Sequence, residues 1–177
     1  YDAMNADALL KRTSAKDGRL VLPDGMSYRY LVLPHHAGWT VSPAVLGKIA
    51  ELAKGGVTII GPRPSQAPGL ADYPECDKQV SKLADALWGP DATQSGNRRC
   101  GAGRVIWGKT LDEIVKADAV APDVEFRDAG SNAKFDWIHR RGDDCDIYFL
   151  SNQAAVPASA VAVFRVSGKQ PELWDAV

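Results

Sequence analysis

The chain has 177 residues, 45% of them hydrophobic and 24% charged, a globular balance that excludes intrinsic disorder. Its 21 basic and 22 acidic side chains leave a net charge of −1, which excludes a broad electrostatic grip on nucleic acid. No apolar run approaches the roughly 18–20 residues that carry a helix across a bilayer, so a transmembrane helix is excluded as well.

Residues 5–14 are good helix formers behind a capping-type Asn5 and predict a short first helix. Two β-rich runs, 19–22 and 26–33, flank Pro23-Asp24-Gly25 and predict a strand–turn–strand unit. Tyr30-Leu31-Val32-Leu33 is apolar on both faces, the pattern of a strand covered by helices on either side. Ser42-Pro43 supplies an N-cap and a first-turn proline, and Val45, Leu46, Ile49, Leu52 and Ala53 follow at helical spacing until Gly55-Gly56. Val57-Thr58-Ile59-Ile60 reads as the next buried strand, so 28–61 predicts a β-α-β unit with parallel neighbouring strands.

A proline- and glycine-rich loop, 61–73, leads into an amphipathic helix from Pro74 to about Trp88. The polar stretch 89–103 reads as a loop, Arg104–Trp107 as a short strand, and Thr110 with Glu113 as a capping box opening a helix to about Ala117. Residues 135–140 and 146–150 flank Arg141-Gly142-Asp143-Asp144 as a hairpin, and 161–166 is a further β-rich run. The expectation is a Rossmann-like open parallel sheet with helices on both faces over residues 1–130. A small antiparallel, β-rich portion follows over 131–177. Two or three strands are marginal alone, so this portion is expected to pair with strands from elsewhere.

In open parallel sheets, ligands bind at the carboxyl ends of the strands, here the loops 34–41 and 61–73. His35 and His36 stand in the first and could serve as general base, working with Asp72 or Glu75 from the second. Adjacent side chains on extended backbone point apart, which argues against both binding one metal, and no metal or cofactor is expected. Trp39, Tyr73 and Trp107 are candidates for stacking on a sugar, and Arg63 for meeting an anion. The ligand-contact set is therefore His35, His36, Trp39, Arg63 and Tyr73.

Cys76, Cys100 and Cys145 form no CxxC pair, so neither a zinc site nor a disulfide framework is indicated. Cys76 sits near a helix start but lacks a nucleophile elbow, and reads as a partly buried thiol. Asp143, Asp144 and Asp146 fit a calcium loop poorly and read as a solvated turn. No signal-peptide pattern opens the chain, and a start at Tyr1 without Met reads as a piece of something longer.

Several blocks carry a family resemblance. They include Lys16 to Pro34, Lys48 to Pro62, Pro68 to Asp77, Gly103 to Gly108, Trp137 to Arg141, Asp146 to Asn152 and Glu172 to Asp175. Together they resemble the middle-to-late region of bacterial α-L-rhamnosidases of glycoside hydrolase family 106. The resemblance implies a catalytic barrel upstream, then a glutamine-amidotransferase-like α/β domain, then β-sandwich strands, so no catalytic residue is carried over. It also implies a carbohydrate partner such as a rhamnose-containing plant glycan, further domains of a parent enzyme, and an extracellular or periplasmic setting. A similar strand–helix–strand block helps assemble the oligomer in family 42 β-galactosidases, which implies a homo-oligomer as an alternative role. A free-standing small glycoside or ester hydrolase is the other alternative.

Overall fold

The computed structural model describes residues 1–36, 38–92 and 94–174. The chain divides into two compact units, 1–114 and 115–177.

In the first unit the Asn5 side chain accepts from the Ala8 amide at 2.9 Å and starts helix α1 (Ala6–Arg12). Strands β1 (Ser14–Lys16), β2 (Arg19–Val21) and β3 (Ser27–Tyr28) form a small antiparallel sheet. Its first turn is Asp17-Gly18, both at positive φ (51° and 73°), the geometry whose twist suits a two-residue hairpin. Strand β4 (Tyr30–Val32) belongs to a different sheet, so the predicted run 26–33 is split between two sheets at Arg29.

Helix α2 (Pro43–Lys54) is capped by Ser42, whose hydroxyl accepts from the Val45 amide at 3.4 Å. After it come β5 (Thr58–Ile60), α3 (Glu75–Trp88), β6 (Gly96–Cys100), β7 (Gly103–Trp107) and α4 (Leu111–Ala117). The second sheet has the order β4-β5-β7-β6, with β4, β5 and β7 parallel and β6 antiparallel at the edge. Leu31, Ile59 and Val105 stand in register on one face, packed with Leu46, Ile49 and Leu52 of α2 and Val80, Leu87 and Trp88 of α3. On the opposite face Ile60 and Ile106 cluster with Ile114 and the half-buried Tyr30, while Val32 stays 53% exposed.

This corrects the expected fold class. The chain is not a Rossmann-like or glutamine-amidotransferase-like open parallel sheet clothed by helices on both faces. It is 23% helix and 27% strand, and the strands are spread over small antiparallel sheets plus one mixed sheet. Two physical reasons stand out. First, the stretch read as a loop contains β6, whose Asn97, Arg98 and Arg99 are exposed, so no apolar alternation marks it. Its turn is set by packing: a Cβ on Gly101 would lie 2.6 Å from the Lys54 carbonyl oxygen, and the Ala102 amide donates to that oxygen at 3.0 Å. Second, the long helices α2 and α3 serve one face, and the other receives only the seven-residue α4.

The second unit consists of two antiparallel ribbons. One pairs β8 (Val124–Arg127) with β11 (Val161–Phe164), and the other pairs β9 (Phe135–Arg141) with β10 (Asp146–Asn152). They meet through aromatic side chains. Phe126 stacks on Phe135 with ring centroids 4.8 Å apart, and Tyr148 packs against Phe164 at 4.6 Å.

Candidate functional site

Because β4 and β5 are parallel neighbours, the loops that leave their carboxyl ends emerge side by side. The pairing continues past the strands, with the Leu33 amide donating to Ile60 at 2.7 Å and the Gly61 amide to Ile106 at 2.9 Å. A Cβ at Gly61, whose φ is 154°, would lie 2.6 Å from Leu33 Cβ, so only glycine lets the loops approach this closely. The Val41 amide then donates to the Gln66 carbonyl at 3.2 Å and joins the two loops directly.

Helix α3 fixes the second loop at three points. Trp88 Nε1 donates to the Gly61 carbonyl at 3.0 Å, Arg63 Nη2 to Asp85 Oδ1 at 2.6 Å, and the Ala67 amide to Asp77 Oδ1 at 2.8 Å. Pro64 is fully buried beneath them. Two of these bonds satisfy backbone groups, the Gly61 carbonyl and the Ala67 amide, that a proline-rich loop cannot satisfy by itself.

The candidate residues separate into two groups. His35 and His36 are exposed on the first loop, and Asp72, Tyr73 and Glu75 are exposed at the far end of the second, Tyr73 by 62%. Glu75 pairs with Lys78 at 2.6 Å on its own helix. Trp39 and Arg63 are spent on the scaffold. Trp39 is 9% exposed and belongs to the main core, so its ring faces protein rather than a ligand. Arg63 is half-buried against Asp85, with its Nε lacking a hydrogen-bond partner among the described residues. Trp107 is likewise buried, its ring lying over Gly96. Cys76 is buried in the core rather than partly buried.

The densest cluster of ionisable groups lies in the second unit and was not marked as a site in the sequence. Asp146, read as part of a solvated turn, has a side chain only 8% exposed. Hydrogen bonds from Lys169 and His139, with a further one from Arg141, hold its carboxyl well below the usual carboxylate range against the opposing effect of burial. Burial pushes the Asp123 carboxyl up, but bonds from Arg165 and His139 outweigh it and keep that group low as well. The available signal was the hairpin: an even ladder around 142–145 places His139 opposite Tyr148 and Arg141 opposite Asp146.

Among the described residues no group of three or more His, Cys, Asp or Glu is placed to hold a metal ion. The two loops present imidazole, phenol and carboxylate groups to solvent, an arrangement suited to polar ligand contact.

Residues 1–177 match the α-L-rhamnosidase model of glycoside hydrolase family 106 throughout, and the chain belongs to that family. It is therefore a glycoside hydrolase-related segment. A rhamnosidase from Novosphingobium sp. PP1Y superposes with a TM-score of 0.85 at 36% identity, over 98% of this chain and 16% of that one. A Formosa agariphila protein that carries a provisional β-glucuronidase name is 31% identical over 176 residues, 99% of this chain and 14% of that protein. The chain thus spans 14% and 16% of the lengths of these two relatives.

Proposed function

We propose that the chain acts as an accessory module of a longer glycoside hydrolase, with loops 34–41 and 61–73 bordering a glycan cleft. In this reading His35, His36 and Tyr73 contact a rhamnose-containing glycan, while Trp39 and Arg63 hold the loops that present them. The parent enzyme works on plant polysaccharide in an extracellular or periplasmic setting, and its catalytic carboxylates lie outside residues 1–177. The observation that carries the reading is a family match over the whole of a chain that amounts to only 16% of the rhamnosidase it superposes on. Exposed side chains on bonded loops support it, because a preorganised surface loses little entropy on meeting a sugar.

The test has two arms. The purified chain is assayed on aryl α-L-rhamnoside, β-glucoside and β-glucuronide, and no turnover is expected. In the full-length polypeptide, His35→Ala, His36→Ala and Tyr73→Ala together are expected to raise KM for a glycan several-fold with kcat kept. Turnover by the chain alone that disappears in the double histidine variant would establish a free-standing hydrolase instead. An unchanged KM would remove the loops from the glycan cleft.

A further inference from the structure

The His139 ring lies between the two ribbons of the second unit and is 13% exposed. Its Nδ1 is 3.2 Å from Asp123 Oδ2, just before β8, and its Nε2 is 2.8 Å from Asp146 Oδ1, at the start of β10. Each carboxylate also holds cations. Arg165, just past β11, bonds Asp123 through Nε at 3.0 Å and through Nη2. Lys169 bonds Asp146 at 2.7 Å, and Arg141 of β9 bonds it at 3.2 Å. One face of the imidazole is covered by Tyr148, stacked at 4.2 Å with an interplanar angle of 8°, and the Tyr148 hydroxyl is buried without a hydrogen-bond partner among the described residues. The groups facing His139 are thus Asp123, Asp146 and Tyr148, with Arg165, Lys169 and Arg141 behind the carboxylates.

An ionised carboxylate only accepts hydrogen bonds. Imidazolium donates from both nitrogens and satisfies both contacts at once, whereas either neutral tautomer donates from one and turns a lone pair toward the other carboxylate. We propose that His139 is a protonation-dependent clasp between the ribbons β8–β11 and β9–β10, closed while the ring carries both protons and opened on one side when it gives one up. The Nε2 contact with Asp146 lies within the β9–β10 ribbon, and the Nδ1 contact with Asp123 spans elements that no backbone ladder joins among the described residues, since β8 pairs with β11 and β9 with β10. Opening of the clasp therefore loosens the aromatic contacts between the ribbons, Phe126 on Phe135 and Tyr148 on Phe164.

The full chain carrying His35→Gln and His36→Gln retains His139 as its single histidine. Imidazole nitrogen NMR would follow ring protonation across a pH series. Amide exchange in β8–β11, corrected at each pH for the base-catalysed rate of an unstructured chain, would be measured on the same samples. Exchange in β8–β11 is expected to accelerate several-fold in step with loss of the ring proton. In Asp123→Asn the carboxamide can donate to a neutral ring, so the same titration should leave exchange flat, and a merely structural contact would not show this reversal. Exchange independent of His139 protonation in the parent chain overturns the proposal, as does an unchanged pH dependence in Asp123→Asn. If that variant misfolds, Asp146→Asn gives the same test from the other side of the ring.

Discussion

The two units of this chain are held together by different physics. Residues 1–114 enclose a continuous apolar core in which Leu46, Leu52, Ala53, Val57, Ile59, Val80, Leu87 and Val105 are wholly shielded from solvent. In residues 115–177 Val124, 6% exposed, is the one buried hydrophobic residue among the described residues, and ring contacts and ion pairs take over. Apolar burial is non-directional and indifferent to pH, whereas a charge network depends on protonation and geometry. A unit that buries few of its apolar side chains can still define its packing, at the cost of making it conditional on the medium.

Four perturbations sharpen or break this contrast, each read by amide exchange or thermal unfolding resolved for the two units. Trp88→Ala should have the largest effect. It removes a wholly packed ring and the bond to Gly61, and should destabilise 1–114 by about 3–5 kcal/mol with no comparable loss in 115–177. Equal losses in both units would mean that they unfold as one.

Gly96→Ala comes next, because the new Cβ would fall 2.2 Å from the Trp107 ring. A cost of about 1–3 kcal/mol is expected in thermal unfolding of 1–114, with faster exchange of the β6 amides. Acid should act in the opposite place. Asp146 and Asp123 have folded pKa values below those of free carboxylates, so their stabilisation is complete above the ordinary range near 4. It is lost as pH falls from there through the folded values, because the unfolded chain takes up the protons first. The unfolding midpoint of 115–177 should therefore drop between about pH 5 and pH 3. That of 1–114 should move less, through Glu113, whose carboxyl is lowered by the Thr110 amide and hydroxyl of its capping box. The smallest effect should come from Lys11→Ala, which deletes an exposed pair with Asp7 and should cost under about 0.5 kcal/mol.

What could be read from the sequence was local. Ser42-Pro43 and Gly55-Gly56 mark α2 within a residue, because capping chemistry is written in neighbouring positions. The parallel relation of β4 and β5, and hence the placing of the two loops, follows from the short helical crossover between them. The sheet to which a strand belongs is not local information. Tyr28 and Tyr30 look alike in a β-rich run, yet one pairs with Leu20 in the small sheet and the other with Thr58 in the mixed one. Asp17-Gly18 carries a hairpin signal of its own, between the predicted first helix and the β-rich run 19–22. At the site, Trp39 and Arg63 looked available because their partners are distant in sequence. Asp85 lies 22 residues beyond Arg63, and no periodicity announces it.

Strand β6 has a further consequence, for solubility. An unpaired strand edge is a template for a stray strand, and β6 lies at the edge of the mixed sheet. Arg98 and Arg99 line that edge with fixed positive charge, so a second copy approaching antiparallel would bring arginines against arginines. The charges that hide β6 from a hydrophobic scan are thus of the kind that blunts an exposed strand edge, while the inner strands remain apolar enough to pack.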